Sequence, residues 1–326
     1  MFGRGRMAFF VLAAFMSASA SPTVAQTGNT GVKVITRGTV STTAVEWPDV
    51  IARRKGFYEK ESLKVEQALI SPTTITPSLI GGSIQIGFIN ASQLVIADKA
   101  GADIVAIGQG ADPSPYSLVT ARSVKTLADL RGKTLSLAEP GDVYAEATKE
   151  ILRKAGLNPD TDVNIRYGGN SNQRMAALIA GAVDAVPLVP PQDRVLIEQG
   201  FNAVAFYPDY FPNLTLSVTA VTRSWAANNS ATLKAFMRAQ AAAIGWLHEP
   251  ANKDEAIKLL MEETKADQVS AIHSYDIYIT KLNIFPKNGC VQTKGFEVML
   301  AMLSKINKSV KEGESINQFI DTQWCP

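Results

Sequence analysis

Short apolar runs alternate with helical stripes along most of the chain. Val32-Lys33-Val34-Ile35, Leu63-Lys64-Val65-Glu66 and Ile84-Gln85-Ile86-Gly87-Phe88 carry apolar residues at close to every second position, the period of a strand with two unlike faces. A helix is expected between the first two, ending at Lys55 before Gly56. Its start stays open. Thr43 and Glu46 have the spacing of a capping box, whereas Pro48 suits a first helical turn and moves the start towards Trp47. A helix around Ile75 to Leu79, another opened by Asn90-Ala91-Ser92 and running to Ala100, and a strand over Ile104 to Ile107 continue the pattern. Further on, Lys133 to Leu137 reads as a strand, Glu139 to Asp142 as a turn, and Val143 to Ala155 as a helix. Val183 to Val189, Ala203 to Phe206 and the alternating Leu214 to Val221 read as strands. Helical stripes follow, with Leu233, Phe236, Met237, Ile244 and Leu247 on one and Ile257, Leu260 and Met261 on the next. Strand, loop and helix in alternation predict an α/β fold with helices on the faces of parallel or mixed sheets.

The unit recurs. Gly56 followed by Leu63 to Glu66 is echoed by Gly156 followed by Val163-Asn164-Ile165. Leu79-Ile80-Gly81-Gly82-Ser83-Ile84-Gln85-Ile86 is echoed by Leu178-Ile179-Ala180-Gly181-Ala182-Val183-Asp184-Ala185. Two similar lobes in tandem account for such an echo better than one continuous sheet.

Composition adds the compartment. Arg4 and Arg6 precede an apolar, small-residue run from Met7 to Ala20, and Thr23-Val24-Ala25 then offers a cleavage site before Gln26. That order of features predicts a secretory signal over residues 1–25, removed to leave a protein outside the cytoplasm. Without Arg4 and Arg6 the 32 Lys and Arg fall to 30, equal to the 30 Asp and Glu. No basic stripe remains to follow a phosphate backbone, which argues against nucleic acid as a partner. With 46% hydrophobic and 19% charged residues, the chain of 326 has ample core for two lobes. The two cysteines, Cys290 and Cys325, are expected to pair in an oxidising compartment and pin the tail, with two unpaired buried thiols as the alternative.

Signs of catalysis are few. His248 and His273 are the only histidines, and neither has metal-ligand spacing. A nucleophile elbow, a phosphate-binding loop and a dinucleotide fingerprint are all missing from the sequence. Polar turns at strand-to-helix junctions stand out instead: Ser41-Thr42-Thr43, Asn90-Ala91-Ser92, Gly141-Asp142 and Gly169-Asn170-Ser171. Such turns lie outside the carboxyl ends of strands, where open α/β sheets bind ligands and the first helical N–H groups are free. Ordinary N-capping explains any one of them equally well. Trp47, Tyr116 and Tyr144 are candidates for a ligand face, and Val189-Pro190-Pro191 for a stiff wall. Arg174 is either a carboxylate clamp or a solvated helix residue.

The segment from Ala52 to Glu66, Gly81 to Asn90, Leu127-Ala128-Asp129-Leu130-Arg131-Gly132-Lys133-Thr134 and Ala176 to Ala185 resemble periplasmic substrate-binding proteins of ABC importers. The class is the nitrate, sulfonate and taurine one, with relatives that bind thiamine pyrimidine precursors. The resemblance implies a two-lobe type II periplasmic-binding-protein fold with a ligand cleft between the lobes. Lobe one would hold 32–120 plus 218–326, and lobe two 121–217. It also implies a monomer without cofactor or metal that delivers a small molecule, expected to be an anionic sulfonate or carboxylate, to an ABC transporter permease. The expected contacts are Thr42, Thr43, Trp47, Asn90, Ala91, Ser92, Tyr116, Gly141, Asp142, Tyr144, Asn170 and Pro190. Gln85 stands where the class usually shows Asp, and Ser62 where Gly is common. Two alternatives carry different chemistry: a pyrimidine-precursor synthase on the same fold, which would use His, Cys and iron, and an extracytoplasmic ligand sensor.

Overall fold

The structure, a computed structural model, describes residues 1–3 and 31–326. Apart from its first three residues, the expected leader with its cleavage site lies outside the described part. Ten strands are described: β1 (Lys33–Thr39), β2 (Leu63–Leu69), β3 (Ile86–Asn90), β4 (Ile104–Gln109), β5 (Ser117–Thr120), β6 (Thr134–Leu137), β7 (Asn164–Tyr167), β8 (Ala185–Leu188), β9 (Asn202–Phe206) and β10 (Ser217–Thr222). They form two five-stranded sheets, β2-β1-β3-β10-β4 and β7-β6-β8-β5-β9. In the first, β1 runs parallel to β2 and β3, and β10 lies antiparallel between β3 and β4. In the second, β6 runs parallel to β7 and β8, and β5 lies antiparallel between β8 and β9.

The two orders are the same, and the echoed sequences occupy the same places. β2 and β7 are the edge strands beside β1 and β6, and β3 and β8 follow on the other side. Gly82 and Gly181 both turn with positive φ, 76° and 71°, before the third strand, a conformation that a side chain would strain. Gln85 and Asp184 each accept a hydrogen bond from a neighbouring strand's backbone, Thr36 N–H at 2.8 Å and Thr134 N–H at 2.9 Å. The amide oxygen of Gln85 thus does the work of the carboxylate usual at that point. Ser62 holds the left-handed backbone, φ 56°, expected of the glycine it replaces.

The first sheet takes β10 from beyond both crossings, whereas the second is built from the consecutive strands β5 to β9. The chain crosses once within 110–116 and returns within 207–216. The first crossing corrects the lobe boundary expected at residue 120. Ser117–Thr120 is buried along its whole length and pairs with β8 and β9, so its backbone groups are satisfied only in the second sheet.

Thirteen α-helices are described: α1 (Trp47–Arg54), α2 (Phe57–Lys60), α3 (Pro72–Ile80), α4 (Ala91–Lys99), α5 (Val143–Lys154), α6 (Ser171–Ile179), α7 (Gln192–Glu198), α8 (Tyr207–Tyr210), α9 (Arg223–Asn228), α10 (Ser230–His248), α11 (Lys253–Thr264), α12 (Gln268–Tyr275) and α13 (Thr293–Ile306). Pro48 sits in the first turn of α1, which settles the open start in favour of Trp47. The Thr43 side chain makes no capping bond, so the expected box with Glu46 does not form. The apolar stripe of α10 is buried as expected, and α10 and α11 pack on α1. The tail is not confined to lobe one, because α12 also packs on α7 and α13 on α5. Cys290 and Cys325 form a disulfide with Cα atoms 5.6 Å apart. Nearby, Ala106 N–H donates to Phe319 O at 2.8 Å and Asp321 N–H to Ala106 O at 2.8 Å, fixing the tail to β4.

Candidate ligand-binding cleft

The cleft opens between the sheets, beyond the carboxyl ends of their parallel strands. After β1 come Ser41, Thr43 and Glu46, and around the end of β3 come Phe88, Asn90 and Gln93. The second sheet contributes Ala138 after β6, Asn170 and Arg174 after β7, and Val189 after β8. The crossings supply Tyr116 and Leu216, β10 supplies Ser217, and α3 closes one side with Ile75 and Thr76. The cavity has a volume of about 60 Å³, room for a few waters.

Three buried polar atoms on this wall have no hydrogen-bond partner among the described residues: Thr43 Oγ1, Glu46 Oε2 and Arg174 Nε. Buried polar groups are nearly always paired, so Thr43 Oγ1 and Arg174 Nε are places for a ligand or water, whereas Glu46 Oε2 already has an ion-pair partner in Arg37. The two charged ones face different surroundings. Arg174 is 4% exposed and is steered by the start of α6. Its guanidinium donates to Gly169 O at 2.7 Å and Ser171 Oγ at 3.4 Å. That turn is rigid because Asn170 and Gln173 form a capping box, with Gln173 N–H to Asn170 Oδ1 at 3.0 Å and Asn170 N–H to Gln173 Oε1 at 2.8 Å. Guanidinium and helix N-terminus together favour an acidic group.

Glu46 is 2% exposed. Its Oε1 accepts from Thr39 Oγ1. Its Oε2 lies 2.7 Å from Arg37 Nη1, an ion-pair contact whose alignment leaves both atoms without a hydrogen bond. Arg37 lies over the Phe88 ring, 4.9 Å from its centroid, and 3.6 Å from Asp49. Burial pushes the Glu46 carboxyl above its ordinary range, with Arg37 opposing and Asp49 adding to the rise.

Beside the cleft the lobes are joined through polar side chains. Ser92 Oγ donates to Asp142 Oδ1 at 3.3 Å, and Gln93 Nε2 to Glu139 Oε2 at 2.8 Å. Burial raises the Asp142 carboxyl to about 6.

Of the residues expected from sequence, Thr43, Asn90, Tyr116 and Asn170 line the cleft. The others are placed elsewhere. Trp47 is fully buried in the helical layer of lobe one, its Nε1 donating to Ala256 O at 3.2 Å and its ring edge-on to Tyr275 and Tyr278. Ser92 and Asp142 are spent on each other. Tyr144 donates to Leu214 O at 3.2 Å and stacks obliquely beside Tyr116. Ala91 and Pro190 are buried behind the wall, Gly141 is exposed, and Thr42 sits beside the lining residues. Arg174 is no solvated helix residue but part of the wall. Sequence reasoning missed Glu46, Gln93, Phe88 and Ser217. A signal for Glu46 existed: a charged residue, Arg37, sits in the buried second half of β1, and two acidic residues follow in a helix start that is buried throughout.

A family model described as "NMT1/THI5 like" matches residues 45–253, more than half of the chain. No curated protein sequence matches it. Among solved structures, the alkanesulfonate-binding protein SsuA of Xanthomonas axonopodis pv. citri, bound to MOPS, is similar at 20% identity and a TM-score of 0.69, over 86% of this chain and 96% of that one. The periplasmic nitrate-binding protein NrtA of Synechocystis PCC 6803 is similar at 15% identity and a TM-score of 0.71, over 89% and 92%. A Candida albicans gene product described as having the generic periplasmic binding protein fold matches at 14% identity and a TM-score of 0.65, over 90% and 96%. At these identities the likeness establishes the fold.

Proposed function

Because the chain belongs to the NMT1/THI5-like family, we propose that it is a non-catalytic solute-binding protein. It is exported by cleavage near Ala25, catches a small acidic molecule between its lobes and hands it to an ABC transporter permease. The observation that carries this reading is a cleft walled from both sheets, with buried polar atoms from each lobe lacking partners. A ligand that meets both walls stabilises the arrangement in which they face each other, and that arrangement is what a transporter can recognise. The acidic group fits lobe two, where Arg174 and the capped start of α6 converge. Structural neighbours named for alkanesulfonate and nitrate support the same chemistry.

The lining favours binding over reaction. Among the described residues no His or Cys lines the cleft. His248 is engaged with Phe285 O at 2.9 Å, and both cysteines are in the disulfide. A His- and Cys-dependent synthase therefore finds no nucleophile and base at this wall. No described helix is long and apolar enough to cross a membrane.

A thermal-shift screen of the mature protein against small sulfonates, carboxylates, nitrate and pyrimidines tests the reading. A true ligand at one hundred times its Kd stabilises by about 2.7 kcal/mol and is recovered unchanged by mass spectrometry. Conversion of the bound compound into a product overturns the non-catalytic assignment.

A further inference from the structure

We propose that the polar contacts joining the lobes form a clasp that takes up a proton at Asp142 as the cleft closes, so that capture is tighter in acid. This rests on the solute-binding reading and adds a regulation to it.

Asp142 stands in the turn between β6 and α5 of lobe two and is 2% exposed. Its Oδ1 accepts from Ser92 Oγ at 3.3 Å, and Ser92, at the start of α4 in lobe one, is buried as well. In the same turn, Glu139 Oε2 accepts from Gln93 Nε2 at 2.8 Å. Both contacts run from lobe to lobe, so parting the lobes breaks them and lets water reach the carboxylates. Closing strips that water away, which disfavours the charged form. Burial raises the Asp142 carboxyl to about 6, and the nearby Glu139 adds to the rise. The Tyr144 N–H, the Ser92 hydroxyl and the Arg174 guanidinium of α6 oppose it, as does the partly positive start of the nine-residue α4. Burial outweighs them. Tyr116 of the first crossing, Tyr144 of α5 and Tyr207 of α8 also face Asp142. Burial lifts each phenol above its ordinary value, so all three stay neutral. Gln93 brings no charge, and burial raises Glu139 too, which acts in the same direction as Asp142. In the open arrangement Asp142 returns towards its ordinary 3.8. The closed arrangement therefore holds the proton more tightly and is favoured as pH falls through about 6. Between those two values, the ratio of closed to open protein rises about tenfold from pH 8 to pH 5.

Two measurements at pH 5 and pH 8 test the clasp: small-angle scattering of the unliganded mature protein, and titration calorimetry with propanesulfonate, an anion at both. In the wild type, the radius of gyration should be smaller at pH 5, and propanesulfonate should bind about tenfold tighter there. Asp142→Asn carries a neutral amide at both pH values and should lose both differences. Asp142→Ala serves the same comparison if the amide variant fails to fold. Either difference, present in the wild type and lost in the variant, supports the inference. Neither difference in the wild type, or one that the variant keeps in full, overturns it and leaves the solute-binding reading standing. Propanesulfonate that binds at neither pH counts against the acid-binding reading of the cleft, and the scattering, which needs no ligand, then decides for or against the clasp.

Discussion

Asp142 shows how much a single position can depend on its surroundings. From the sequence it is a turn residue that could cap α5 or touch a ligand. In the fold it is buried against Ser92 of the other lobe, and burial lifts its carboxyl to about 6 from an ordinary 3.8. The folded protein therefore holds this proton more tightly than the unfolded chain does. Stability is highest when Asp142 is protonated and declines as pH rises from about 4 to about 6, by up to about 3 kcal/mol for a shift of this size. Asp112 and Asp193, also raised to about 6 by burial, act in the same direction. Asp142→Asn should remove one share of that decline. Urea melts at pH 4 and pH 7.5 check this, and a variant with the parent's full pH dependence contradicts it. Glu46 and Arg174 were harder to recognise in the sequence. A charged residue in a helix start looks the same whether it caps, faces water or lines a cleft, and only burial separates the three.

At the scale of elements, most of the pattern was legible. Period-two alternation marked β1 and β2, the apolar stripes marked α10 and α11, and the echo between residues 56–86 and 156–185 marked equivalent elements of two sheets. β5 was not legible, because four buried residues carry no period that says which sheet completes them. Ser62 offers a test of the local reading. A non-glycine residue held at φ 56° is strained by about 1 kcal/mol or more. Ser62→Gly should recover about 0.5–1 kcal/mol after glycine's greater unfolded-state freedom is counted. A raised melting temperature supports this, and a lowered one shows that the serine relieves the turn in some other way.

The whole molecule is two sheets of the same order, joined by two crossings and overlaid by a tail that touches both. The disulfide closes a span of 35 residues in that tail. Its loss should cost about 3–4 kcal/mol on the chain-entropy model. Neither cysteine lines the cleft, so Cys290→Ser/Cys325→Ser should melt lower while keeping ligand affinity. Weaker binding in proportion to the lost stability would mean that the tail shapes the cleft. The central claim is that one small acidic molecule bridges the lobes in this cleft, and it predicts losses on both sides of it. Titration calorimetry of the wild type, Asn90→Ala and Arg174→Ala with a ligand from the screen tests this most directly. One molecule should bind per chain, and each variant should weaken binding about fivefold or more, the cost of one lost hydrogen bond to a buried group, with the unliganded melting temperature of Asn90→Ala unchanged. Parental affinity in both variants would place the ligand somewhere other than between the lobes.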